Sequence, residues 1–220
     1  MAVIRIGFNP DFAPFAVFEK GLPTGITIER TVQVLEGAGI EATFIPEALP
    51  HMEKQLLAGV FDALAGVAAT PDRADRLSYS KPLMITGGAW FVLAGTEWPA
   101  DDALAQSAPG RRRVVTPLAG PLAAVIRKRY PNLAIDACTD YGDALAAVVR
   151  SKADAAALNW QVGCMQVERD HPGRFALPDT PFIQIPLALA VPIGDPTGLL
   201  ASVDPHIPDD WGRLPVGQSK

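Results

Sequence analysis

Residues 59–80, Gly59-Val60-Phe61-Asp62-Ala63-Leu64-Ala65-Gly66-Val67-Ala68-Ala69-Thr70-Pro71-Asp72-Arg73-Ala74-Asp75-Arg76-Leu77-Ser78-Tyr79-Ser80, join a buried segment to a turn that carries an arginine. Phe61 to Val67 reads as a short buried strand. Thr70-Pro71-Asp72 reads as a helix start, with a hydroxyl N-cap, proline at the first helical position and an acid in the first turn. Arg73 then falls in that first turn, where free N–H groups and the helix dipole disfavour a cation unless an anion joins it. A helix end plus a guanidinium is an anion site. The competing reading is a solvated arginine neutralised by Asp72 and Asp75.

Working outward, strand and helix patterns alternate. A strand at 3–8 leads through Asn9-Pro10-Asp11-Phe12-Ala13-Pro14-Phe15 to a second short strand. A turn at Gly21 to Gly25 follows, then a helix at 26–38, a strand at 41–46 and a helix at 50–58. Residues 83–94 form a long extended apolar run, and 95–109 has loop composition. A second set follows: strands at 112–116, 133–137 and 153–158, helices at 121–130, 142–151 and 160–169, then an extended run at 183–191. This progression implies α/β units with mostly parallel sheets. Leu56 to Ala65 matches Val148 to Ala157 in kind, as helix end, turn, Asp and buried strand, which suggests two similar lobes. The expected division is 1–88 plus 186–220 as one lobe and 93–182 as an inserted second, joined by two extended crossovers.

Composition narrows the classes. A chain of 220 residues is long enough for two lobes that each bury a core. The net charge of −5 and a basic run as short as Arg111-Arg112-Arg113 give no stripe for a phosphate backbone, so no nucleic-acid partner is expected. Hydrophobic residues make up 49% and charged ones 20%, a globular balance. The N-terminus opens directly in a strand without a leader pattern, so the expectation is either a cytoplasmic protein or an exported one whose signal peptide is absent from this chain. Cys138 and Cys164 lack metal-ligand spacing; one bridge is open, and two buried free thiols are expected. His51, His171 and His206 are scattered among predicted loops, which leaves no metal site and no cofactor.

The ordered set Gly7-Phe8-Asn9-Pro10-Asp11-Phe12-Ala13-Pro14-Phe15, Gly25-Ile26-Thr27-Ile28-Glu29, Gly59-Val60-Phe61-Asp62 and Thr70-Pro71-Asp72-Arg73-Ala74 to Tyr79-Ser80-Lys81-Pro82 resembles extracytoplasmic solute-binding proteins of the polar amino acid type. Weaker matches are Asp140-Tyr141-Gly142-Asp143-Ala144-Leu145 and Ala153-Asp154-Ala155, and the resemblance spans roughly residues 3–195. It implies a type II periplasmic-binding fold of two hinged lobes closing on a small ligand that feeds an ABC importer. It also implies that Arg73 grips the ligand carboxylate in a fork, which suits its planar donors. Phe12 would form a pocket wall with Asn9 beside it, Gly66 and Ala68 would line the end of the preceding strand, and the backbone N–H groups of Ala119 and Gly120 would face the carboxylate. The resemblance aligns Asn159 with the acid that holds a ligand ammonium.

Several positions depart from that family pattern. Asn159 carries no charge, and burying an ammonium without a counter-ion costs several kcal/mol. Asp11 or Asp140 could supply it. Ala68 replaces a hydroxyl residue, Leu49 replaces an aromatic wall, and Pro117-Leu118-Ala119-Gly120-Pro121 replaces a Gly-Thr turn. The expected ligand is therefore an acid or polar solute, with amino-acid ligands still open. The segment from Asp195 onward contains four prolines and three glycines, so a short helix near 197–203 is expected where the family has a long one.

Trp160, next to Asn159, is a candidate cleft residue, while Trp90 is expected at the hinge and Trp98 in a surface loop. Three function classes follow. A solute-binding protein is the leading expectation. A dehydratase-like enzyme on the same scaffold would need a positioned general acid, and Asn159 cannot titrate. A sensory or partner-binding domain is the third.

Overall fold

The structure, a computed structural model, describes residues 3–118 and 120–213. The chain divides into two compact units, one made of residues up to Ile85 and from Ile185 onward, the other of Thr86–Gln184. The first contains β1 (Ile4–Phe8), β2 (Asp11–Phe12), β3 (Ala16–Glu19), β4 (Leu22–Thr24), α1 (Ile26–Gly37), β5 (Ala42–Pro46), α2 (Leu49–Leu57), β6 (Ala63–Ala68) and β7 (Leu77–Tyr79). The chain leaves it along β8 (Met84–Leu93). It continues through α3 (Asp101–Ala105), β9 (Arg113–Pro117), α4 (Leu122–Arg129), β10 (Ala134–Cys138), α5 (Tyr141–Val149), β11 (Ala155–Asn159), α6 (Trp160–Asp170) and β12 (Phe175–Ala176). It returns along β13 (Ile183–Pro192) to α7 (Leu199–Val203).

In the first unit the strands run in the order β13-β6-β1-β5, with β1 parallel to β5 and β6, and β13 antiparallel to β6. Parallel strands need both faces covered. One face buries Ile28, Val34 and Leu35 of α1 with Leu199, Leu200 and Val203 of α7 against Ala63, Ala65, Leu189 and Val191. The other packs Met52 and Leu56 of α2 on Leu64, Val67, Leu77 and Ala190. Residues 63 and 65 share a face, as strand alternation requires, but so do 64 and 67. Gly66 accounts for this: at φ +66° it inserts an extra residue in β6 between the pairs Leu64↔Ala190 and Val67↔Ala188.

The second unit repeats the plan, with β9 parallel to β10 and β11 and the long β8 antiparallel to β11. Ala144, Leu145 and Val148 of α5 pack with Phe91, Val115, Ala156 and Leu158. Gly163 in α6 lets that helix approach Phe91, whose ring a β-carbon would meet at 2.3 Å.

Three local expectations are corrected. The 95–109 segment contains the helix α3. Trp98 is not a lone surface residue: its ring lies 5.6 Å from Trp90, which stacks on Phe182 at 4.2 Å, and Arg112 sits 5.0 Å above Trp98. The Thr70 segment is a single 3-10 turn, Pro71–Arg73, in which the Thr70 side chain makes no cap. Leu77 must already be extended to pair with Pro192, which leaves room for one turn only.

Candidate functional site

The shortness of that turn removes the helix dipole from the argument for Arg73, because one 3-10 turn aligns too few peptides. What remains is the guanidinium itself. The Arg73 side chain is 22% exposed and lines a small recess together with Leu49, Met52, Glu53, Leu64, Val67 and Leu77. Its nearest carboxylate is Glu53 of α2, whose Oε2 lies 3.4 Å from Arg73 Nε. No carboxylate among the described residues comes closer than that to Nη1 or Nη2. The other Glu53 oxygen accepts a 2.6 Å hydrogen bond from Arg76 Nε, and Arg76 also donates to Asp75 Oδ1 at 2.7 Å and to the Asp72 carbonyl at 3.0 Å.

Glu53 was not foreseen in the sequence. Its signal is positional, since it falls in the stripe Leu49, Met52, Glu53, Leu56 that α2 turns to the core. A carboxylate there needs a cation. Beside it the Tyr79 hydroxyl and Thr70 Oγ1 are buried with no partner among the described residues. Burial raises the Tyr79 pKa, and the nearby Arg73 charge partly opposes the rise.

The loop after β1 reaches the same end of the unit. Asn9 Oδ1 accepts the Asp11 N–H at 3.2 Å, a side-chain turn that fixes the entry to β2. The Phe12 ring lies 4.7 Å from that of Phe15. The Phe15 carbonyl accepts both the N–H and the hydroxyl of Thr27, at 2.9 and 2.8 Å. Thr27 in turn meets Gly66, where a β-carbon would come within 2.5 Å of its Oγ1. Phe12, Gly66 and the half-buried Ala68 are thus tied together at the carboxyl ends of β1 and β6, where open α/β sheets place their ligands. Asp11 is exposed and has no ion pair among the described residues.

In the second unit Asn159 is buried and committed. Its Oδ1 caps α6 by accepting the Val162 N–H at 3.2 Å, and its Nδ2 donates to Thr86 Oγ1 at 2.9 Å. Thr86 donates onward to Gln161 Oε1, and Gln161 Nε2 is a buried donor without a partner among the described residues. Trp160 donates from Nε1 to the Pro178 carbonyl at 2.8 Å and packs against the unit's core. Asp140 caps α5 through the Asp143 N–H at 2.9 Å. Gly120 is exposed with φ +98°, and Ala119 lies outside the described residues.

Cys138 and Cys164 are free and half-buried, and burial pushes both thiols up to about 11, which keeps them protonated at neutral pH. Among the described residues no group of His, Cys, Asp or Glu could hold a metal ion, and no helix is long and apolar enough to cross a membrane.

A family model described as bacterial extracellular solute-binding proteins, family 3, matches residues 4–204. Among solved structures the chain is similar to an ancestral amino acid-binding protein described as a precursor of cyclohexadienyl dehydratase, at 22% identity over 93% of this chain and 87% of that one, with TM-score 0.73. It is similar to the periplasmic VFT2 domain of Bordetella pertussis BvgS at 20% identity, 93% and 86% coverage and TM-score 0.76. A histidine kinase sensor domain with similarity to periplasmic binding proteins gives 22% identity, 93% and 88% coverage and TM-score 0.76. At these identities the likeness establishes the fold. No curated protein sequence matches the chain.

Proposed function

The chain belongs to the bacterial extracellular solute-binding proteins of family 3, and on that premise we propose that it binds a small polar or carboxylate-bearing solute, amino-acid-like or an organic acid, with Arg73 as the anchor of the acidic group. One observation carries this reading: a guanidinium 22% exposed, held at Nε by a contact to Glu53. Its two terminal nitrogens supply the parallel donors that a carboxylate accepts as a fork. On the first unit we take Phe12 as the apolar wall, with Asn9, Asp11, Gly66 and Ala68 beside it.

Asn159 keeps one N–H and one lone pair beyond the hydrogen bonds described, capacity that suits a hydroxyl, amide or carbonyl. A neutral amide does not replace a counter-ion, so the ligand depends less on an ammonium group than a zwitterion would. The role is binding rather than catalysis, in an extracytoplasmic setting, with delivery to an ABC importer permease. A sensory role is the second reading, favoured by the likeness to the BvgS and histidine kinase domains.

The test is mass spectrometry of small molecules released from the purified, denatured protein, followed by a thermal-shift panel of amino acids against the matched acids lacking the amine. A ligand far above its dissociation constant raises the melting temperature. Stabilisation by carboxylate-bearing solutes is expected. A panel in which only neutral or cationic solutes stabilise the protein would overturn the reading.

A further inference from the structure

We propose that Glu53 is a positioning residue for Arg73: clamped by Arg76, its carboxylate holds the Nε edge of the Arg73 guanidinium so that the Nη1 and Nη2 edge is presented to a ligand carboxylate. The inference rests on the reading of Arg73 as the anchor and adds the device that aims it. Arg73 sits on a single 3-10 turn, with three residues between it and the extended Leu77, so its backbone is short and its side chain has four rotatable bonds. A long flexible side chain loses rotamer freedom when it grips a ligand, and fixing it beforehand removes that cost from binding.

The fixing is built from both sides. Glu53 is the one carboxylate in the buried stripe of α2, held at 3.4 Å from Arg73 Nε on one oxygen and at 2.6 Å from Arg76 Nε on the other. Arg76 is anchored in turn by Asp75 and by the Asp72 carbonyl. Arg73 and Arg76 face two carboxylates, Glu53 and Asp75, so the cluster is charge-balanced as a whole. What a ligand anion would meet is the Nη1 and Nη2 edge, to which no carboxylate among the described residues comes closer than the 3.4 Å of the Nε contact. Arg73 shares the lining of a small recess with Leu49, Met52, Leu64, Val67 and Leu77, apolar neighbours for its aliphatic stem.

The experiment uses the full 15N-labelled chain and sodium acetate as the carboxylate probe, with sodium chloride at equal ionic strength as the control. The Arg73 Nε–H resonance is assigned by its disappearance in Arg73→Lys. In the unsubstituted protein this signal is expected to exchange slowly with solvent and to shift saturably with acetate. In Glu53→Gln it should exchange at least tenfold faster, and acetate should bind at least threefold more weakly. Glu53→Asp should restore part of both. Arg76→Lys, which loosens Glu53 without changing any charge, should move both readouts in the same direction and serves if Glu53→Gln does not fold. Equal acetate affinity and equal exchange in the variants would overturn the inference and leave Arg73 as the anchor. Tighter acetate binding in Glu53→Gln would overturn it differently, by making Glu53 a competitor for Arg73. No saturable shift in the unsubstituted protein would overturn the anchor reading itself, and this inference with it.

Discussion

Asp62 and Asp154 make the same pair of hydrogen bonds in the two units. Asp62 Oδ2 accepts the Arg5 N–H at 2.8 Å while its own N–H donates to the Arg5 carbonyl at 2.8 Å. Asp154 Oδ2 accepts the Arg113 N–H at 2.7 Å and its N–H donates to the Arg113 carbonyl at 2.8 Å. Each aspartate therefore closes the ladder between its own strand and the strand it follows in space, at the end where a parallel pair would otherwise leave backbone groups open.

A pH dependence follows for Asp62. The Arg5 guanidinium donates to both of its oxygens, at 3.1 and 2.9 Å, and this hydrogen bonding holds the Asp62 carboxyl below its usual pKa against the opposing effect of burial. A depressed folded-state pKa contributes stability that is complete above the unfolded value of about 4 and is lost as pH falls through the folded value. Asp62→Asn should thus lower the melting temperature at pH 7, and the gap to the unsubstituted protein should narrow below about pH 4. A gap independent of pH in differential scanning calorimetry would contradict the assignment.

The repeat that carries Asp62 and Asp154 was legible because it is local: helix end, turn, Asp and strand recur within ten residues in Leu56 to Ala65 and Val148 to Ala157, whereas their bonds to Arg5 and Arg113 join residues far apart in the chain. The βα order was legible for the same reason. Glu53 was not, because its partners Arg73 and Arg76 lie on the far side of β6 in sequence and only folding brings them to α2. The Thr70 turn misled because capping chemistry favours a helix locally, while the pairing of β7 with β13 is a long-range demand that ends it. Asn159 carried a visible cue, a polar residue between a predicted strand and a predicted helix, and its cap role follows from that position.

Gly66 supports a stability prediction. A side chain there would strain a backbone at φ +66° and set its β-carbon 2.5 Å from Thr27 Oγ1. The left-handed conformation and the overpacking together should cost Gly66→Ala about 2–4 kcal/mol. Combining it with Thr27→Ala removes the Oγ1 contact but keeps the Thr27 β-carbon at 3.1 Å and the backbone strain, so part of the loss should persist in urea denaturation. A variant as stable as the original would refute the bulge as the reason for glycine.

Arg73→Ala is expected to weaken binding of a carboxylate ligand by about 2–5 kcal/mol, the range for truncating one member of a desolvated charge pair. Arg73→Lys keeps the charge but loses the fork, so it should recover only part of that loss. Calorimetry with the solute recovered from the purified protein measures both. Equal affinity for all three proteins would exclude Arg73 as a ligand contact.

The last prediction asks which residue meets a ligand amine. Asn159→Asp keeps an acceptor for the Val162 N–H, so α6 retains its cap, while the donor to Thr86 Oγ1 is lost. It also places a negative charge where the resemblance to the family implies one. The affinity ratio of L-glutamine to its deaminated counterpart 4-carbamoylbutanoate should then rise at least tenfold, equivalent to about 1.4 kcal/mol of added preference. Of the two acids considered for an ammonium, Asp140 caps α5 through Oδ1, while Asp11 is exposed with no ion pair among the described residues. If the unsubstituted protein already prefers L-glutamine and Asp11→Asn abolishes that preference, Asp11 holds the amine, and the neutral amide at Asn159 does not set the ligand class.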